Sequence, residues 1–245
     1  MTEPGLKDIW VYLSTSPLLG LTITLVAYGL AYRLYLKTNS NPLANPVVTS
    51  VAMLIMLLLA TGTSYSDYFE GGQFVHFLLG PATVALAVPL YQQFSRLRQL
   101  WLPVTISLLC GVVIAAGSSI GLARVLGGST EIQMSLAPKS ATAPVAMGIS
   151  EKIGGLPSLT AVLVVITGIT GAVLGTKLFE WIRVRDDTAK GIAMGVAAHG
   201  IGTARAFQVS SQMGAFSGLA MALSAFATAL LVPWLVDLLA AWIPA

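Results

Sequence analysis

The sequence predicts an all-α polytopic membrane protein, and three observations carry that prediction. Hydrophobic side chains make up 56% of the 245 residues and charged ones only 9%, against about 25% charged in soluble domains. The few charges cut the chain into long uncharged windows: Ile9 to Tyr32, Thr38 to Ser66, Gly71 to Ser95, Gln99 to Ala123 and Ile153 to Thr176. Each exceeds the roughly 20 residues that an α-helix needs to cross a bilayer. The length then holds about seven spans with short loops and leaves no room for a soluble catalytic domain.

Taken in order, the expected spans cover residues 17–36, 46–64, 73–94, 102–124, 157–179, 190–209 and 215–240. The last two come from Gly191 to Val236, a stretch whose single charge is Arg205, with a joint at about Ser210 to Gly214. The opening residues carry Glu3, Lys7 and Asp8 and lack the basic n-region and cleavage site of a secretory signal. The first apolar window is therefore expected to stay in the mature protein. The run Ile132 to Ser150, with Pro138, Lys139 and Pro144 among small apolar residues, either spans or enters and returns. Lysine and arginine collect in cytoplasmic loops, and this arbitrates. Seven spans put Arg33, Lys37, Arg96, Arg98, Lys177, Arg183, Arg185 and Lys190 on one side against Lys7, Arg124, Lys139 and Lys152 on the other. An eighth span would divide them almost evenly. The expectation is thus seven transmembrane helices plus a re-entrant segment at 132–150, with the N-terminus outside and the C-terminus cytoplasmic.

In this topology spans two to four and five to seven run in opposite directions. The whole chain, 1–245, reads as one transmembrane domain: a first repeat at 46–124, a re-entrant linker at 125–156 and an inverted second repeat at 157–240. The middle span of each three-helix repeat holds helix-weakening residues, Gly80-Pro81 to Val88-Pro89 in the first and His199-Gly200-Ile201-Gly202-Thr203-Ala204-Arg205 in the second. Proline removes a backbone donor and glycine loosens a helix, so both middle helices are expected to be interrupted. Paired interruptions in inverted halves are the pattern of secondary transporters.

Arg205 is the most informative residue, because a guanidinium in hydrocarbon costs at least ~2.5 kcal/mol. One reading has it bind an anion beside broken-helix donors at Gly200, Gly202 and Thr203; the other has it snorkel to the headgroups. Lys139, with Ser140 and Thr142, either lines a cavity as an anion site or sits in an ordinary loop. His199 either relays protons or hydrogen-bonds a neighbouring helix carbonyl. Thr83 faces the site or bonds its own helix, and His76 reads as interfacial. Gly168, Gly171 and Gly175 read as close helix packing.

Enzyme readings fail on inventory. Only two histidines are present, and Asp67, Glu70, Glu131, Glu151, Glu180, Asp186, Asp187 and Asp237 all fall at span ends or in loops. No cofactor or metal is expected. Cys110 is the single cysteine, so no disulfide framework exists. The net charge of +3 comes from scattered residues rather than a basic patch, which argues against a nucleic-acid partner.

Four motifs carry a resemblance: Gly80 to Tyr91, Pro138-Lys139-Ser140-Ala141-Thr142-Ala143-Pro144-Val145-Ala146, His199 to Ala206, and Gly214-Ala215-Phe216-Ser217-Gly218-Leu219-Ala220-Met221. Together, over about residues 18 to 240, they resemble the LrgB/CidB family. The resemblance implies a multi-pass protein of the bacterial inner (plasma) membrane and two functional traditions. Bacterial members are holin-like or antiholin-like modulators of murein hydrolase activity and lysis, acting with a small LrgA/CidA-type membrane protein. Plastid relatives are glycolate/glycerate translocators with an LrgA-like half fused on, and bacterial members are linked to pyruvate transport. The expectation is a secondary transporter of small monocarboxylates such as glycolate, glycerate, pyruvate or lactate, with a separate LrgA/CidA-type partner and a homo-oligomeric assembly. The alternative is a holin/antiholin-like regulator of murein hydrolase activity and cell lysis.

Overall fold

The computed structural model describes residues 17–38, 41, 44–78, 81, 84–85 and 87–242. Among them are ten helices and no strand. Four of these helices are long and apolar enough to cross a membrane, within Leu18–Lys37, Phe94–Val125, Pro157–Trp181 and Ser211–Leu238. The protein is all-α and of the polytopic membrane class. It divides into two compact units, one ending at Ala85 and the other beginning at Leu86.

The first unit contains α1 (Pro17–Lys37), α2 (Pro46–Thr61) and α3 (Tyr65–Phe77). Asn45 caps α2: its Oδ1 accepts from the Val47 N–H at 2.9 Å, and Pro46 occupies a first-turn position where no intrahelical N–H is needed. Gly62 ends α2 in the left-handed conformation, φ 66°. α1 packs on both α2 and α3. It meets α3 closely because a Cβ on Gly20 would lie 2.6 Å from the Tyr68 carbonyl oxygen, and Thr24 Oγ1 and Tyr68 Oη share a hydrogen bond of 2.7 Å. The third expected span is corrected at its start. α3 begins at Tyr65 rather than 73, because Ser64 Oγ accepts from the Asp67 N–H at 3.2 Å and Asp67 suits a first turn. Asp67 and Glu70, read as loop charges, are helical. Gly80, Ala82 and Thr83 lie outside the described residues, and with them the expected break at Pro81.

The second unit contains α4 (Ala87–Gln92), α5 (Phe94–Val125), α6 (Thr130–Leu136), α7 (Ala143–Lys152), α8 (Pro157–Trp181), α9 (Asp187–Val209) and α10 (Ser211–Trp242). α5 and α8 run antiparallel. Arg96, at the start of α5, pairs with Asp186 just beyond the end of α8 at 2.7 Å, while Ala116 and Ile120, toward α5's other end, pack with Ala137 and Ile149. Residues 132–150 do not form a span. α6 and α7 are seven and ten residues long, about 10 and 15 Å, where a crossing needs roughly 30 Å. They form a helical hairpin: Ser150 meets Thr160, and Ala141 and Ala146 cluster with Val164, so α7 runs back along α8.

The sixth expected span, 190–209, is also corrected. A straight helix of 23 residues would part its ends by about 34 Å, yet Ser210 Oγ donates to Asp187 Oδ2 at 2.7 Å. Gln212 Nε2 likewise donates to Thr188 Oγ1 at 3.0 Å. α9 therefore doubles back at His199, whose φ of 39° and ψ of −135° are not helical. Residues 187–198 run in one direction and 200–209 in the other. The sequence anticipated the interruption but not the reversal. Glycine makes the reversal possible: a Cβ on Gly202 would lie 2.5 Å from the Ala198 Cβ, so the two arms approach more closely there than a larger residue allows.

One consequence concerns α10. It starts at the Asp187 end and finishes where Val232 packs with Ile120, so it runs parallel to α5. Because α9 doubles back, α10 finishes at the end of this unit opposite Arg96, where a crossing sixth span would have returned it to the Arg96 end. Within this unit α5 with the hairpin α6–α7, and α8 with the hairpin α9, form two similar helix-plus-hairpin sets running in opposite directions.

Candidate functional site

The two hairpins enter from opposite ends of α8 and meet at one residue. Val164 is 1% exposed, forms a core cluster with Ala141 and Ala146 of the first hairpin, and offers its carbonyl to His199 of the second. The His199 Nε2 to Val164 O distance is 2.8 Å. A carbonyl only accepts, so Nε2 carries the proton. Gly168, one turn further along α8, makes room for the ring, since a Cβ there would lie 2.6 Å from its Cε1. Gly171 and Gly175 receive Ala198 and Met194 in the same way, as the packing reading expected.

Each tip is also the start of a helix. α7 begins at Ala143 after Thr142, whose extended backbone (φ −64°, ψ 146°) makes it the N-cap and whose side chain makes no cap hydrogen bond. The returning arm of α9 begins at Gly200. Helix N-termini present unpaired N–H groups and a partial positive charge. Two of them, one from each side, thus point toward the level of Val164. Lys139 stands in the turn of the first tip, half-buried, with its Nζ 3.4 Å from Ser140 Oγ.

The expected site residues therefore separate into groups. Lys139, Ser140 and Thr142 occupy the first tip. His199, Gly200, Gly202 and Thr203 occupy the second; Thr203 Oγ1 lies 2.8 Å from the His199 carbonyl oxygen and 2.9 Å from Ser217 Oγ on α10. Arg205 is on the returning arm, about 9 Å along the helix from His199. It is 8% exposed, so it is enclosed by protein rather than spread at a lipid-facing rim, and its Nη1 donates to Gln208 Oε1 at 3.1 Å. His199 takes the hydrogen bond to a neighbouring helix carbonyl that was one of its two readings. Thr83 is not among the described residues.

Sequence reasoning missed several participants. The Val164 carbonyl is backbone and has no signature. Ser217 lay within a quoted motif without a role. Ser135, Ser150 and Thr160, each 0% exposed, form a hydroxyl knot beneath the first tip. Thr160 Oγ1 lies 2.7 Å from Ser150 Oγ and 3.0 Å from the Ser135 carbonyl, and Ser135 Oγ accepts from the Leu156 N–H at 2.8 Å. The knot joins α6, α7 and α8. Among the described residues no group of histidine, cysteine or carboxylate side chains is arranged to hold a metal ion.

Comparison with known proteins bears on this arrangement. The chain is 35% identical to the uncharacterized protein YwbG of Bacillus subtilis (strain 168) over 90% of its length and 97% of that protein's. It is 33% identical to the holin-like protein CidB of Staphylococcus aureus (strain N315), covering 89% of this chain and 95% of that one. With the holin-like protein CidB of Staphylococcus epidermidis (strain ATCC 12228 / FDA PCI 1200) the identity is 32%, over 87% and 93%. No solved structure matches the chain. The model of the LrgB-like family matches residues 24–238, nearly everything described above, and the chain belongs to that family.

Proposed function

We propose that this protein is a secondary carrier of small monocarboxylates, of the glycolate, glycerate, pyruvate and lactate class. The observation that supports this is the meeting of two opposed helical hairpins at Val164, each tip a helix N-terminus. Broken helices whose positive ends converge at mid-membrane suit a carboxylate. Lys139, Ser140 and Thr142 supply a cation and hydroxyls on one tip. Gly200, Gly202 and Thr203 border the other, with Arg205 behind it. The carboxylate is held by N–H groups and hydroxyls, and no covalent chemistry is needed. Proton movement through His199 would require it to release the Val164 carbonyl.

The names of the staphylococcal relatives favour a second reading, a holin-like protein, and the regulation of murein hydrolase activity and lysis is the role we attach to that reading. A pore and a carrier differ in kinetics. Vesicles holding the purified protein, with and without an LrgA/CidA-type partner, should take up labelled glycolate or pyruvate saturably while retaining an entrapped dye. Dye loss without saturation supports the holin-like reading. Uptake no faster than in empty vesicles, with the dye retained, removes the carrier.

For orientation, Arg96, Arg98, Lys177, Arg183, Arg185 and Lys190 stand at one end of the second unit and Arg124 and Lys152 at the other. We place the first group in the cytoplasm. The chain then leaves α10 on the outer side. A separate LrgA/CidA-type subunit and a homo-oligomer complete the proposed assembly.

A further inference from the structure

A groove of about 650 Å³ lies between α5 and the first arm of α9. Its walls include Leu100, Ser107, Gly111, Ala115, Ala193 and Val196, so small residues form the hollow and apolar ones line it. It reaches from Arg96 and Asp186 at one end to Ala197 near the hairpin tip. Along α9, from Thr188 to Ala197, that is about 14 Å, roughly the hydrocarbon depth of one leaflet. Between its charged end and the tip the wall is apolar apart from Ser107 and Thr188, which matches an acyl chain better than a small hydrophilic anion.

The charged end fits a phosphate. Arg96 and Asp186 pair at 2.7 Å with both side chains well exposed. Arg185, next to Asp186, lines a second hollow of about 480 Å³ with Arg183, Lys190 and Glu180. Among the described residues Arg183 and Arg185 take part in no ion pair. The excess of guanidinium groups over carboxylates favours an anionic headgroup over a zwitterionic one, and basic pockets between transmembrane helices at the cytoplasmic side recognise such lipids.

We propose that the groove between α5 and the first arm of α9 binds one anionic phospholipid, its acyl chain against Gly111, Ala115 and Ala193 and its phosphate at Arg96. The inference does not rest on the carrier reading. It is tested by native mass spectrometry of the purified full chain titrated with phosphatidylglycerol or phosphatidylcholine. The phosphatidylglycerol adduct should be retained preferentially, and Arg96→Ala should weaken it about fivefold. Ala193→Phe, which fills the groove, should abolish it, and Arg124→Ala at the far end should leave it unchanged. If Ala193→Phe does not fold, a phosphatidylglycerol with a photoreactive acyl chain should label residues 107–115 or 189–197 of the wild-type chain. Equal retention of both lipids, labelling confined to other helices, or a photoreactive residue at position 193 crosslinking to another protein chain would overturn the proposal.

Discussion

Asp187 and Ser210 stand at the two ends of α9, 23 residues apart in sequence, and share a hydrogen bond of 2.7 Å. That contact makes the segment a closed hairpin rather than a crossing. Asp187→Cys with Ser210→Cys, in a Cys110→Ser background, should form an intrachain disulfide under mild oxidation. Mass spectrometry would detect it. A segment that crossed the membrane could not form it within one chain.

Gly168 leaves the space that the His199 ring occupies. Gly168→Val should force the ring off the Val164 carbonyl and destabilise the fold by about 1–3 kcal/mol, as overpacking does. The Tm in detergent should fall, and further than for Gly117→Val on α5, where an added Cβ meets nothing within 4 Å.

Thr160 ties the first hairpin to α8 through groups that are fully buried. Thr160→Val keeps the shape and deletes the hydroxyl, removing a hydrogen-bond partner from the buried pair of the Ser135 carbonyl and Ser150 Oγ. The expected loss is about 1–3 kcal/mol, read as a lower Tm. Thr160→Ser should recover most of it.

Arg205 is enclosed and bonded to Gln208. On the carrier reading, Arg205→Ala should reduce monocarboxylate uptake at least about tenfold, the value of a lost charge-assisted hydrogen bond. Arg205→Lys should retain part of it, since lysine keeps the charge but not the fork. Uptake by Arg205→Ala equal to wild type would remove this residue from the site.

The extents of α8 and α10 were legible because apolar windows bounded by charges mark helices of that length directly. The break at His199 was legible from Gly200 and Gly202. Its reversal was not, because a helix that continues past a break and one that turns back have the same local composition. What decides between them is tertiary: Gly191 and Gly195 pressed against the α10 backbone at Met213 and Ser217, and Ser210 reaching Asp187. That the 132–150 segment does not span was legible because loop charges counted against a crossing. Ser135, Ser150 and Thr160 escaped notice because their spacing fits no motif. They become a cluster only when the hairpin folds onto α8.

The second hairpin is held unevenly. At its base Asp187, Thr188, Ser210 and Gln212 are cross-bonded, and Gly191 and Gly195 lie against α10. At its tip the bond to α8 is that of one imidazole with the Val164 carbonyl, across a backbone already in an uncommon conformation. Mechanically the base is the clamped part, while the tip is pinned at two buried points, His199 to Val164 and Thr203 to Ser217. Hydrogen exchange should accordingly be faster at residues 197–201 than at 190–194. A bound anion that drew the N–H groups at Gly200 and Ile201 toward itself would load the short stretch between those two points, far from the clamped base.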